Sequence, residues 1–425
     1  VSDLLATKYR RGTATQVTFP TLPSLTAQPT SIDLFQKQYS HDVLILEFLS
    51  ESTLWFETLK TGVPVQFSWR QDTLSKDWIG YVSSISKVNS PQRTNVMRVM
   101  CVGSTFPMKQ RATRVFTDST VPDAVSKIAQ EFGFKVITDP HPQIFPQLAM
   151  TGNSYWEWIS EQAKKIGYGI IVDGMTFVFR PIDKLIDMGF SNAPVLSLGN
   201  AGAPFNTQFL DRTLDEFKII YGDNVESSNN FRTVKNVGGV DIASGNILLS
   251  SSSPDTTGDA LRETVSSVLF EEFRTDQVIN NQVSATETAK AAAQLSRFGI
   301  PATIKGQGDP RIRPFGTTYV AGTSATTDGF WIINEAKHQF HKIGDYMIEL
   351  AVSTDGIGDA VVQTPFRTRT DTGAGTVNLE QSVQNGSSAA LSFSLDSVQL
   401  QDYTPYPSES NQGYLTTPKR WKNVG

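Results

Sequence analysis

The residues able to do acid–base, nucleophilic or metal chemistry are few, and their spacing suits none of it. Four histidines occur in the chain. His338 and His341 fall in a run that reads as a strand. Their side chains then point to opposite faces and cannot share one metal ion. His41 stands beside Asp42 and His141 lies between two prolines, with no HExxH pattern and no cysteine cluster near either. The single cysteine, Cys101, allows no internal disulfide and sits in the strand-like run VMRVMCVG, where a buried, inert thiol is expected. Glu57, Asp72 and Asp77 could pair as glycosidase acids, but nothing in their spacing selects them from the 42 acidic residues. The GQGDP stretch at 306–310 has two glycines, yet its aspartate would repel a phosphate, and a tight turn accounts for it. No GxSxG, Walker A or strand-to-helix GxGxxG appears. The sequence therefore offers no catalytic, cofactor-binding or metal residues, and it is read as a non-enzyme without a cofactor.

Composition narrows the partners. A net charge of −5 argues against general duplex binding, which needs lysines and arginines to displace counterions. It leaves room for nucleic acid that passes without sticking. Charged residues make up only 19% and there are 25 phenylalanines, a balance that suits β-rich domains with well-filled cores or large contacts to neighbours. No apolar run reaches about 18 residues, so no membrane span is expected. The first residues, VSDLLATKYRRG, lack a signal-peptide core, so assembly in a cytoplasm is expected.

The elements that would position side chains follow in order. Residues 1–30 read as a polar, proline-containing arm. Residues 31–110 read as an antiparallel β unit from the runs DVLILEFLS, PVQFSWRQ, DWIGYVSSISKV and NVMRVMCVG. Residues 111–194 read as an α/β insert. In it, Thr120 caps a helix with Pro122 near its start, a second helix over 153–167 ends at Gly167, and a hairpin turns at Asp173-Gly174. Trp156, Ile159 and Ala163 form the core stripe of that second helix. Trp158 lies more than half a turn from Trp156 and is expected to dock a neighbour, while the Tyr155, Trp156, Trp158 cluster also suggests a sugar platform. Residues 223–299 read as a polar insertion with helices over 261–273 and 287–299. Residues 195–222 and 300–360 return to β structure. Beyond 360, an extension over 361–425 contains SFSLDSVQLQDYTP, which reads as one or two strands that pair elsewhere.

These pieces, in this order, resemble the hub proteins of phage baseplates: the late-control D proteins and the hub portion of type VI secretion spike proteins. TVPDAVSKIAQEFGF is similar to the helix that opens the family's insert, and SYWEWISEQAKKIGYGIIVDGMTFVFRP to its aromatic helix and glycine hairpin. IKGQGDPRIRPFGTTYVAG resembles the family's G-P-x-I-x-P-G corner, with Phe315 inserted between proline and glycine. FWIINEAKHQFHKIGDYMIELAV resembles the closing hairpin, with His338 at the histidine-aromatic position and Gly344-Asp345-Tyr346 at the turn.

The resemblance implies a mainly β chain with α+β inserts and two tail-tube-like β-barrels, one over 31–110 and one assembled from 195–222 with 300–360. It further implies a homotrimer whose six barrels make a pseudo-hexameric ring within the virion. That ring would join a tail tube or distal tail protein to a central spike, with tape measure protein, and baseplate wedge proteins in a contractile tail, as further partners. DNA would pass through without specific binding. The interface candidates are Trp158, Arg311, Arg313, Asp215 and Glu216: the two arginines share a strand face by alternation and are expected to meet the acidic pair across the ring. A tail-associated protein that degrades or binds peptidoglycan, and a carbohydrate-binding β protein unrelated to phage, are the other readings.

Overall fold

The computed structural model describes residues 13–360, except 26–27, 50–57, 72–73, 91–92, 191–192, 199–210, 220–232, 242–243, 255–260, 266–269, 276–278, 280 and 342–345. Glu57, Asp72, the Gly344-Asp345 turn and the SFSLDSVQLQDYTP run lie outside the described residues.

The first unit has six strands: β1 (Thr13–Thr18), β2 (Ser31–Lys37), β3 (Val43–Leu49), β4 (Pro64–Gln71), β5 (Leu74–Ser90) and β6 (Arg93–Gly103), hydrogen-bonded in the order β1-β4-β5-β6-β3-β2. Alternation sets its inner face. Ile32 and Leu34 on β2, Leu44, Leu46 and Phe48 on β3, and Phe67 and Trp69 on β4 are buried at every second position.

The insert follows with β7 (Arg111–Ser119), α1 (Val121–Glu131), β8 (Lys135–Thr138), β9 (Phe145–Ser154), α2 (Tyr155–Ile166), β10 (Tyr168–Asp173), β11 (Thr176–Pro181) and α3 (Ile182–Phe190). Local sequence explains its punctuation. Thr120 accepts a hydrogen bond from the Asp123 amide at the start of α1. Ser154 and Glu157 form a reciprocal capping box on α2, which ends at Gly167 in the left-handed conformation, φ 70°. The β10–β11 hairpin turns at Gly174-Met175, one residue beyond the expected Asp173-Gly174, with Asp173 paired to Thr176.

The chain then runs through β12 (Val195–Leu198), β13 (Asp211–Ile219), β14 (Thr233–Val240), β15 (Ile247–Ser252), β16 (Arg262–Val265), β17 (Phe270–Thr275), α4 (Gln282–Leu295), β18 (Ile300–Gln307), β19 (Thr317–Ala321), β20 (Gly329–His341), β21 (Tyr346–Thr354) and β22 (Gly356–Ala360). Strands β16 and β17 replace the helix expected over 261–273. Both find distant partners, β16 with β22 and β17 in parallel with β14, and this pairing outweighs a weak helical spacing. Helix α4 begins five residues before the expected start because Asn281 caps it, accepting from the Ser284 amide at 2.7 Å.

One barrel closes. Strands β20-β19-β12-β13-β18-β21 are hydrogen-bonded in sequence, and β21 returns to β20. Of the two closed barrels expected, the described residues show this one; a second is not shown among them. Strand β2 has two edges; one is taken by β3 and the other by β20, leaving none for β1. Among the described residues the first unit is therefore a six-stranded sheet fused to the barrel, giving one twelve-stranded sheet. The junction is β20 itself. Its Gly329–Ile332 half pairs with β19 and its Glu335–His341 half with β2, while the ladder to β21 shifts register between Ile333 and Glu335. A single apolar core runs through both units, and Phe67 and Trp69 of β4 pack against Phe340 of β20.

Candidate functional site at the seam between barrel and insert

The corner at 308–316, between β18 and β19, is where charged side chains of three units converge. It is a sequence of turns, so the strand-face argument for Arg311 and Arg313 does not apply to it. Backbone bonds fix it to the closing hairpin: the Gly308 amide donates to Tyr346 O at 2.8 Å and the Phe315 amide to Ile333 O at 3.0 Å.

Asp309 is fully buried in this corner. Its carboxylate accepts from Arg212 Nε at 2.9 Å and from Arg311 through the backbone amide, Nε and Nη2, each at 2.9 Å. Burial by itself would raise its pKa. The guanidinium of Arg311 and then that of Arg212 reverse this and hold the carboxyl below its usual range. Next to it, His338 on β20 is completely buried, with Nδ1 2.7 Å from the Tyr346 hydroxyl. Burial pushes the His338 imidazole down to about 4, so it is neutral in ordinary conditions. His341 on the same strand faces outward.

Arg313 reaches the other way. Its Nη1 lies 3.8 Å from Asp173 Oδ2, at the tip of the insert's β10–β11 hairpin, and Lys76 of β5 pairs with the same carboxylate. Burial opposes ionisation of Asp173, but Lys76 and Arg313 outweigh it and lower its pKa. A cavity of about 60 Å³ opens here, with Asp42, Lys76, Trp78, Asp173 and Arg313 in its walls. Asp42 accepts from Gln36 Nε2 at 2.8 Å, and burial pushes its carboxyl up to about 6.

The remaining interface candidates sit elsewhere. Asp215 and Glu216 are exposed on β13, where the ladder to β18 shifts register, and Glu216 Oε2 lies 2.9 Å from Lys305 Nζ. Within the chain the arginines of the corner meet Asp309 and Asp173, and the structure does not bring them to Asp215 or Glu216. Trp158 is only 2% exposed; its indole N–H donates to Ala149 O at 3.0 Å and its ring lies 5.8 Å from Phe116. Helix α2 is covered on two sides. Trp156 faces Tyr39, whose carbonyl accepts its indole N–H at 3.2 Å, while Trp158 faces the antiparallel pair β7–β9. Tyr155 is buried as well, so the cluster presents no sugar platform.

Arg212, Asp309, Asp173 and Lys76 escaped sequence reasoning. The available signal was an aspartate and two arginines within five residues of one turn-rich corner. Among the described residues no group of three or more His, Cys, Asp or Glu side chains could hold a metal ion.

No family model and no curated protein matches the chain. Solved structures do. The tail protein from Neisseria meningitidis MC58 aligns with a TM-score of 0.55 at 15% identity, over 82% of this chain and 98% of that one. The 43 kDa tail protein of prophage MuSo2 from Shewanella oneidensis aligns with a TM-score of 0.56 at 13% identity, over 81% of this chain and 99% of that one. The chain is similar in fold to these two tail proteins. The likeness spans nearly the whole of both structures and about four-fifths of this chain. At these identities it is a likeness of fold.

Proposed function

We propose that the chain is a structural hub of a phage tail, acting in the virion. Three copies form a pseudo-hexameric ring that joins the tail tube to a central spike and lines a channel for DNA. The observation that carries this reading is the closed barrel fused edge to edge with a second six-stranded sheet, in a chain similar in fold to two tail proteins. Two β units of similar strand number in one chain offer a means for three chains to present six similar walls to a six-fold tube. The acidic net charge suits a channel that lets DNA pass without holding it. A tail tube or distal tail protein on one side and a spike protein on the other are the partners of this role. In this reading Trp158 contributes through the insert's core, and the exposed Asp215 and Glu216 remain available to a neighbouring copy.

The test is the mass and shape of the purified 46.7 kDa chain, alone and with its tail partners, by light scattering and electron microscopy. Rings of three copies are expected. A chain that stays monomeric at all concentrations, with tube and spike proteins present, would sink the hub reading. Wall degradation by the lone chain would replace it with an enzymatic one.

A further inference from the structure

One side of the twelve-stranded sheet is turned to solvent across the neighbouring strands β13-β18-β21-β20-β2-β3-β6-β5. Seven strand spacings of about 4.8 Å make this side roughly 34 Å wide. Its reverse is the apolar core, with Ile304, Leu350, Ala336, Leu34 and Leu44 turned inward. Strand register sets the charges on the open side. Glu216 of β13 stands opposite Lys305 of β18, Lys305 opposite Glu349 of β21, and Glu349 opposite Lys337 of β20. One row therefore alternates in sign across four strands. Lys337 continues it onto the next strand, where its Nζ lies 5.2 Å from the centre of the Phe35 ring. Lys37 of β2 pairs with Glu335 of β20 at 2.6 Å, and Arg98 of β6 with Glu47 of β3 at 3.4 Å. Among the described residues Asp33 and Lys218 share this side as well, so its signs balance.

Exposed pairs of this kind contribute little to stability. Their larger effect is on what touches the face. Duplex DNA binds without regard to sequence when lysines and arginines replace the counter-ions of its phosphates. Here four cations already have a carboxylate on the neighbouring strand, fixed by the ladder rather than drawn from solution. A phosphate that displaces such a carboxylate leaves it unpaired at close range, where the two anions repel. Lys305 shows the hold of these partners: Glu216 first, and then Glu349, raise its pKa above the ordinary lysine value.

We propose that this side of the sheet is a non-adhesive wall for a polyanion, in which carboxylates on neighbouring strands act as built-in counter-ions and keep Lys37, Arg98, Lys305 and Lys337 from DNA phosphates. The identity of the polyanion rests on the tail-hub reading, in which this side faces the channel. The test is binding of a fluorescent duplex of random sequence to the purified full chain at about 50 mM salt. The wild type should bind weakly. Glu47→Gln, Glu216→Gln, Glu335→Gln and Glu349→Gln combined should bind at least about tenfold more tightly, with a salt dependence steeper by about 0.9 in log–log slope for each freed cation. Glu131→Gln, Glu161→Gln, Glu271→Gln and Glu287→Gln combined change the net charge equally, each in a polar contact elsewhere in the chain, and should bind as the wild type does. Adding Lys37→Gln and Lys305→Gln to the first variant should remove most of its gain. Tight binding by the wild type, equal gains in the two fourfold variants, or a gain that survives loss of both lysines would each overturn the proposal. Light scattering on the same samples separates it from the hub reading. A monomer with the expected binding pattern sinks the ring and keeps the masked face; rings whose first variant stays unbound keep the hub and sink the face.

Discussion

Tyr39 and Phe315 both hold the left-handed backbone conformation, with φ of 60° and 62°, and their rings meet edge to face at 5.1 Å. Neither is a glycine, so each carries backbone strain that the surrounding contacts must offset. The contacts are on hand. The Tyr39 hydroxyl donates to Tyr168 O at 2.9 Å and its carbonyl accepts from Trp156 and Ser160, while Phe315 is buried among Ile171, Val178, Ile182 and Ile332. The phenylalanine that departs from the hub corner motif is thus the plug that seats the insert on the barrel.

Phe315→Ala should destabilise the chain by about 3–5 kcal/mol through the cavity it leaves. Phe315→Gly removes the same ring and also relieves the left-handed strain, so it should be as stable as the alanine variant or more so, against the usual order of these residues. Urea unfolding followed by tryptophan fluorescence would read both. An alanine variant clearly more stable than the glycine variant would contradict the strain argument.

Asp309→Ala leaves Arg212 buried without its carboxylate and should cost about 3–5 kcal/mol. Its depressed pKa fixes the pH dependence. The stabilisation is complete above the unfolded-state value near 4 and is lost as pH falls through the lower folded value. A thermal melt series from pH 7 down to pH 2 should show the wild type approaching the variant only at the acid end. Arg311→Glu, which faces the same carboxylate, should lower the melting temperature of the isolated chain before any assembly is tested.

Asp42 has the opposite sign. Burial raises its folded pKa to about 6, so the folded chain takes up this proton more readily than the unfolded chain. Stability from this group therefore rises as pH falls from 6 toward 4, and its ionised form is a penalty at neutral pH. Asp42→Asn, which keeps an acceptor for Gln36, should raise the melting temperature at pH 7.5 and make little difference at pH 4. A variant less stable than wild type at pH 7.5 would show that the charge is compensated at the cavity.

Trp156→Ala and Trp158→Ala should each cost about 3–5 kcal/mol in the isolated chain, because α2 is buried on both sides. The sequence alone leads one to expect a smaller effect at Trp158. Calorimetry of the two variants decides: a Trp158 variant that melts like wild type would return this residue to the surface.

Local physics was legible in the sequence wherever the deciding groups lie within a few residues of each other. The Thr120 cap, the left-handed end of α2 at Gly167 and the glycine turn of the β10–β11 hairpin are of this kind, since each satisfies backbone groups of its own turn. Alternation likewise marked the inner faces of β2, β3 and β4. Tertiary structure decided everything that depends on which edge meets which. Strand β20 divides one edge between β19 and β2, a choice made some 300 residues from β2 in sequence, and among the described residues it joins the first unit to one closed barrel. The 261–273 segment became strands because β14 and β22 were there to pair with it. Arg311 turned inward because Asp309 is buried beside it, and Trp158 became core because the paired strands β7 and β9 cover the second side of α2. Burial and partner geometry are long-range properties, and no local pattern encodes them.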